Sequence, residues 1–385
     1  MRKSGILLHI SSLPSDYGIG KMGSAAYAFA DFLVDAGVQV WQILPLSPTS
    51  YGDSPYQSFS VYAGNPYFID YEQLEQEGLL TRVDYAGLIW DEDPRRVDYA
   101  HIYQYCYDVL HKAYTRFDQS DADYQSFCHQ QEAWLPEYAL FMALKNANGG
   151  KPWYLWEKPL AMHEPDAIAT AKKLYQDDIA FYCVMQYWFH KQWYKLKHYC
   201  NKRGITIVGD IPIYVAYDSV EVWSQPELFQ LDDDHVPTAV AGCPPDVFSP
   251  SGQLWGNPLY DWNYHKETNY AWWVQRLARA ATLYDTVRID HFRGFESYYK
   301  IPYGMKDAKI GKWMPGPGAE LFRTVKEKLG AISIIAEDLG FVTPEVRQLL
   351  SDCGYPGMKV LQFAFDDDPA STYLPQNYTT PNCVA

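Results

Sequence analysis

Two acidic residues stand where a pair of carboxylates can divide glycosidic chemistry between them. Asp290 closes the run Thr286-Val287-Arg288-Ile289-Asp290, and Glu337 closes Ile332-Ser333-Ile334-Ile335-Ala336-Glu337. Both runs are short, β-branched and apolar, so each reads as a buried strand with its carboxylate at the end. Side chains at the ends of consecutive strands can converge. In unlike environments, one carboxylate attacks an anomeric carbon while the other protonates the leaving oxygen and later deprotonates the acceptor. Arg288 precedes Asp290 by two residues and projects to the same side of the strand. A guanidinium there favours the ionised carboxylate that a nucleophile must be. Glu337, bracketed by Ile335, Ala336 and Leu339, is better placed to hold a proton, and the adjacent Asp338 should point away and serve structure. Strand-end carboxylates are also common as caps and surface ion pairs, and spacing alone leaves that reading open.

These residues need a scaffold, and the chain repeats one unit: an amphipathic helix, a Gly or short turn, then a short strand ending in a polar residue. Ser24 to Ala36 is followed by Gly37 and the strand Val38 to Leu44. Ile179 to Cys200 and Gly204 lead into Ile205 to Asp210, Asn269 to Leu283 leads into Asp290, and Leu321 to Gly330 leads into Glu337. Thr343 as N-cap, with Pro344 at the first helical position, opens a helix to Leu350 before a sixth strand, Lys359 to Phe365. With Gly5 to Ile10 at the start, this predicts an α/β fold with a parallel sheet and helices outside. Doubly wound sheets and β/α barrels both satisfy the pattern. Asp210, Asp290 and Glu337 at the ends of three strands favour a barrel, and no Gly-rich loop follows the first strand to cradle a dinucleotide.

About 160 residues separate the second and third strands, far more than a crossover helix needs. The organisation expected is therefore barrel strands 1 and 2 in residues 1–60, a mainly helical inserted subdomain in 61–178, and the third helix and strand in 179–213. A loop-rich insertion over the cleft follows in 214–263, and later strands occupy 264–385. Loops after barrel strands build the active site, so both insertions should wall or cover it.

Composition narrows the partners. There are 32 basic and 47 acidic residues, a net charge of -15, so nucleic acid phosphates and anionic membranes are repelled. No apolar run approaches a membrane span, and Ile6 to Leu8 is too short for a secretory signal. Seven cysteines without a Cys-x-x-Cys pair fit reduced thiols in the cytoplasm. The histidines lack metal-ligand spacing, and Asp232 to Asp234 and Asp366 to Asp368 lack that of a calcium loop, so no metal and no cofactor are expected. Asp367, just past a predicted strand end, is still a possible substrate contact. The 33 Tyr, 13 Trp and 17 Phe suit either a sugar-binding cleft or aromatic packing in the core.

Several stretches, in order, resemble the 4-α-glucanotransferases, the amylomaltase or disproportionating-enzyme family related to the α-amylases. They are Gly52 to Gln57, Gly209 to Val215, Gly242 to Asp246 with Gly252 to Pro258, Arg288 to Gly294, and Ala336 to Gly340. The resemblance implies a (β/α)8 barrel, a covalent glucosyl intermediate on Asp290, and Glu337 as general acid/base. It implies that Arg288, His291, Asp210 and Tyr56 surround the donor sugar, that Gln253 and Trp255 sit on a flexible loop over the cleft, and that Phe363 lines the acceptor side. Ser54 and Tyr51 are further candidate glucan contacts. The Pro244 to Trp255 stretch would screen the intermediate from water. The partners implied are maltooligosaccharides and other α-1,4-glucans. The family's third carboxylate belongs to a Thr-His-Asp-Asn motif on the seventh strand, and the sequence stops at Ala385 as that strand would begin. A chain spanning about six strands leaves an α-glucan hydrolase, or a glucan-binding fragment of impaired turnover, as alternatives.

Overall fold

Strand β1 (Gly5–Leu7) runs parallel to β2 (Val40–Gln42), with Gly5 opposite Val40, and β2 runs parallel to the start of β3 (Thr206–Pro212), with Val40 opposite Thr206. The helix Ser24–Asp35 makes the first crossover. Its N-cap, Gly23, is demanded by close approach, since a Cβ there would lie 2.2 Å from the Asp70 carboxylate. The second strand is shorter than predicted because only Val40, Trp41 and Gln42 find ladder partners on both sides. These are features of a computed structural model that describes residues 2–50, 52–246, 249–340, 342–365 and 368–385. The chain divides into two compact units, the first reaching Val208 and including Asp218–Gln225, the second comprising Gly209–Tyr217 and Pro226–Ala385.

Between β2 and β3 the first unit is helical, with the longer helices at Tyr99–Tyr114, Leu135–Ala147, Pro165–Leu174 and Gln176–Lys202. The last begins with Asp177 and Asp178 in its first turn, where acidic side chains meet the helix dipole favourably. It buries Trp188, Phe189, Trp193 and Leu196 against its neighbours. Here many of the aromatics find their use: Tyr71, Tyr138, Phe141, Trp153 and Trp223 are wholly buried, and Tyr71, Trp153 and Trp223 meet other rings edge-on. A partly buried ion pair, Lys145 Nζ to Asp218 Oδ2 at 2.6 Å, sits with the ammonium over the Phe59 ring.

In the second unit, β6 (Thr286–Asp290) pairs parallel with β9 (Ile334–Ala336), setting Arg288 opposite Ile335 and Ile289 opposite Ala336. Helices Ala271–Leu283, Ala319–Leu329 and Pro344–Cys353 flank them. The last is framed by Thr343, whose hydroxyl accepts from Val346 N–H, by Pro344 at the first position, and by Gly354 at φ 72° as its C-terminal stop. A second sheet is antiparallel, in the order β5 (Gln253–Pro258), β4 (Ala239–Cys243), β7 (Ser297–Pro302) and β8 (Lys312–Pro315).

Residues 214–263, expected to be loop-rich, also carry β4 and β5 of this sheet. Partners for β4 lie at Ser297–Pro302, far along the chain, so the local Pro- and Gly-rich composition gave no sign of them. The strand expected over Lys359 to Phe365 is likewise absent. Only Gly357–Met358 (β10) pairs, in parallel with Cys383–Val384 (β11). Beyond it Phe363 N–H turns back to the Val360 carbonyl at 3.0 Å, closing a 3-10 turn at Leu361–Ala364 in place of a ladder.

Candidate active site

Asp210 is the best buried acid of the candidate set, 1% exposed, and it lies on β3 after Gly209. Gly209 has no room for a side chain, because a Cβ would lie 2.1 Å from the Tyr284 ring. Two residues on, Arg276 secures the strand end. Its guanidinium donates to the carbonyls of Pro212 and Ile213 and lies against the rings of Trp272 and Trp273. A buried arginine on the apolar face of Ala271–Leu283 was the available signal for this support, and sequence reasoning passed over it.

Arg288 joins Asp210 to Asp290. Its Nη1 donates to both oxygens of Asp210 at 2.7 Å, and its Nη2 reaches Asp290 Oδ1 at 2.9 Å. Burial opposes the charge of Arg288, but Asp210 and then Asp290 outweigh it and hold the guanidinium above its ordinary range. The Asp290 side chain is 33% exposed and open to a ligand.

After Asp290 the chain turns sharply, with His291 in the left-handed region at φ 54°, a conformation uncommon for any residue with a Cβ. That turn aims the His291 N–H at Glu337 Oε2, 2.7 Å away, while Leu339 N–H donates to Oε1 at 2.7 Å. Backbone bonds repeat the stitch: Glu337 N–H to Ile289 O and Phe292 N–H to Glu337 O, both 3.0 Å. Burial first, then the charge of Asp290, pushes the Glu337 carboxyl up to about 7, against the pull of the two N–H donors and Arg288. Asp290 is thus paired with a guanidinium while Glu337 is poised to hold a proton near neutrality. Asp338 points elsewhere and accepts Met358 N–H at 2.6 Å.

The His291 imidazole is neutral, since burial, with the Arg293 charge adding, pushes it down to about 3. Among the described residues its Nε2 is buried without a hydrogen-bond partner. Trp255 meets its ring edge-on at 4.8 Å, and Tyr214, not foreseen from the sequence, lies against both rings. Trp255 Nε1 donates to Gln253 Oε1 at 3.0 Å. Gln253 and Trp255, expected on a flexible loop over the cleft, lie on strand β5, where Cys243 and Gly242 pair with Gln253 and Leu254.

The second unit thus brings together Asp210, Arg288, Asp290, His291, Glu337, Trp255 and, through Trp255, Gln253. Phe363 belongs to the 3-10 turn, 41% exposed and edge-on to Tyr373 at 5.4 Å. Ser54 and Tyr56 belong to the first unit, where Tyr56 N–H donates to Ser54 Oγ at 3.3 Å. Tyr51 and Asp367 lie outside the described residues.

Residues 8–385 match a family model described as 4-alpha-glucanotransferase. A 4-alpha-glucanotransferase of Clostridium butyricum is 49% identical over 380 residues, covering 98% of this chain and 78% of the relative. That of Thermus thermophilus is 47% identical, covering 98% and 75%. An amylomaltase from Streptococcus agalactiae, solved in complex with acarbose, superposes with a TM-score of 0.96 at 47% identity over 98% of this chain and 77% of that one. A Corynebacterium glutamicum amylomaltase, 22% identical, shares the fold with a TM-score of 0.75 over 96% of this chain and 52% of its own. With an α/β fold built on parallel strands and a carboxylate pair held by one arginine, this chain belongs to the 4-alpha-glucanotransferase family.

Proposed function

We infer that this 4-alpha-glucanotransferase works by double displacement, with Asp290 as nucleophile and Glu337 as general acid and base. An Asp290 oxygen bonds to the anomeric carbon of an α-1,4-glucan as the glycosidic C–O bond breaks, and the Glu337 proton leaves with the departing glucan. Glu337, now ionised, takes a proton from the hydroxyl of an incoming glucose or glucan. That oxygen displaces Asp290 from the anomeric carbon, which restores both carboxyl groups and retains the configuration.

The observation that carries this reading is the asymmetry of the pair: Asp290 shares Arg288 with Asp210, whereas Glu337 is pushed up to about 7 by burial and by Asp290. Trp255, half-buried on its strand and braced edge-on by the His291 ring, offers a flat face to a pyranose. The acarbose bound by the Streptococcus agalactiae relative supports α-glucans as the ligands. Tyr56, Ser54 and Phe363 are further proposed substrate contacts, supported by the sequence resemblance to the family. The parallel strands are read as part of a (β/α)8 barrel, supported by Asp210 near the end of β3, Asp290 ending β6 and Glu337 following β9. A reducing cytoplasm is supported by seven free cysteines, and among the described residues no helix is long and apolar enough to cross a membrane.

The test is disproportionation. Maltotriose alone is expected to yield glucose and longer maltodextrins while the number of reducing ends stays constant. Reducing ends accumulating at the rate of total turnover identify a hydrolase instead.

A further inference from the structure

Arg288 has a third partner that the reaction scheme leaves unused. Besides the bonds to Asp210 and Asp290, its Nε donates to the thioether sulfur of Met358 at 3.2 Å. Met358 is itself fastened in place. Its backbone N–H donates to Asp338 Oδ1 at 2.6 Å, and the preceding Gly357 leaves the carboxylate room, since a Cβ there would lie 2.6 Å from the same oxygen. One residue earlier, the Pro356 carbonyl accepts Ala336 N–H at 2.9 Å from strand β9. Residues 356–358 are thus fixed to the strand that leads into Glu337.

We propose that Met358 is a positioning residue for glucan transfer: its sulfur fixes the orientation of the Arg288 guanidinium and, through it, the contact with Asp290. The proposal rests on Asp290 being the nucleophile. A guanidinium is planar and carries five N–H groups in a rigid fork. Anchored only at Nη1, by Asp210, the plane can pivot and carry Nη2 away from Asp290. A second anchor at Nε removes that freedom, and Nη2 then falls on Asp290. A thioether suits the task because it accepts weakly and carries no charge. A third carboxylate here would compete with Asp290 for Arg288 and add negative charge beside Glu337. Asp338 contributes at one remove, by placing the backbone of Met358.

The test compares Met358→Leu, which keeps an apolar side chain of similar size and loses the acceptor, with Met358→Gln, whose amide oxygen can accept from Nε. Both are made in the full chain, and maltotriose disproportionation is followed alongside thermal unfolding. Met358→Leu should lower kcat about 5- to 50-fold, as expected when a buried charged donor loses its partner. KM should stay within about twofold, because the loss falls on the reacting group and not on glucan held elsewhere. Met358→Gln should recover most of kcat, and both variants should melt within about 2 °C of the wild type. The proposal is overturned if Met358→Leu keeps full kcat, if Met358→Gln is no better than Met358→Leu, or if Met358→Leu fails to fold, which makes the residue a packing element. A wild type that does not disproportionate maltotriose defeats the assigned function itself, whatever the variants do.

Discussion

Oε2 of Glu337 accepts the backbone N–H of His291, the residue after Asp290, at 2.7 Å. The proposed acid/base is therefore tied to the same peptide segment that presents the proposed nucleophile, and the bond survives only while His291 holds its left-handed turn. Glu337 receives a second N–H from Leu339, so each carboxyl oxygen has one fixed donor and its orientation is set before substrate arrives.

The alkaline limb of the pH profile should belong to Glu337. Its carboxyl is pushed up to about 7, so the proton it must donate is present below that pH and lost above it. On maltotriose, kcat/KM should be flat towards neutrality and then fall about tenfold per pH unit beyond about 7. In Glu337→Gln assayed with α-maltosyl fluoride, whose leaving group needs no proton, that limb should vanish from the first step. A limb that persists unchanged with the fluoride assigns it to another group.

Asp210 holds Arg288, so its loss should reach stability as well as the binding role proposed for it. Removing it by Asp210→Ala leaves the largely buried Arg288 with Asp290 as its remaining carboxylate, a loss of about 3–5 kcal/mol for a broken buried pair. Urea unfolding of the two proteins measures this directly. Turnover should fall by at least about 100-fold, because the freed guanidinium also relaxes its hold on Asp290.

Trp255→Ala should weaken dextrin binding by about tenfold, roughly the worth of one aromatic face against an apolar partner. Folding should be little affected, since Trp255 is only half-buried on its strand and its Nε1 bonds to the exposed Gln253. Isothermal titration with maltooligosaccharide distinguishes the two effects. Unchanged affinity places the glucan elsewhere.

How much of this was legible in the sequence depended on where each residue's partners lie. Strand β6 and its carboxylate read clearly, because β-branched alternation and a preceding amphipathic helix are local signals, and Arg288 and Asp290 share a strand face by simple period two. The start of Pro344–Cys353 was equally visible, from Thr343 and Pro344, although the helix runs past Leu350 to Cys353. The antiparallel sheet carrying Gln253 and Trp255 was not, since β4 and β7 meet only through tertiary pairing across a long stretch of chain. Lys359 to Phe365 failed for a different reason: Asp338 captures the Met358 N–H and the backbone turns on itself at Val360 and Phe363, so β-propensity lost to local hydrogen bonding. Met358 itself gave no sequence signal, because a methionine contacting an arginine looks like any other apolar residue.

The central claim, a covalent glucosyl intermediate on Asp290, is tested most directly by trapping it. Glu337→Gln supplied with α-maltosyl fluoride should form the intermediate readily and release it slowly, since no base remains to activate the acceptor. Peptide mass spectrometry after an acid quench should find one maltosyl group on the peptide carrying Asp290, and Asp290→Asn should abolish both the adduct and turnover. An adduct on another carboxylate, or an Asp290→Asn variant that still turns over maltotriose, contradicts the account.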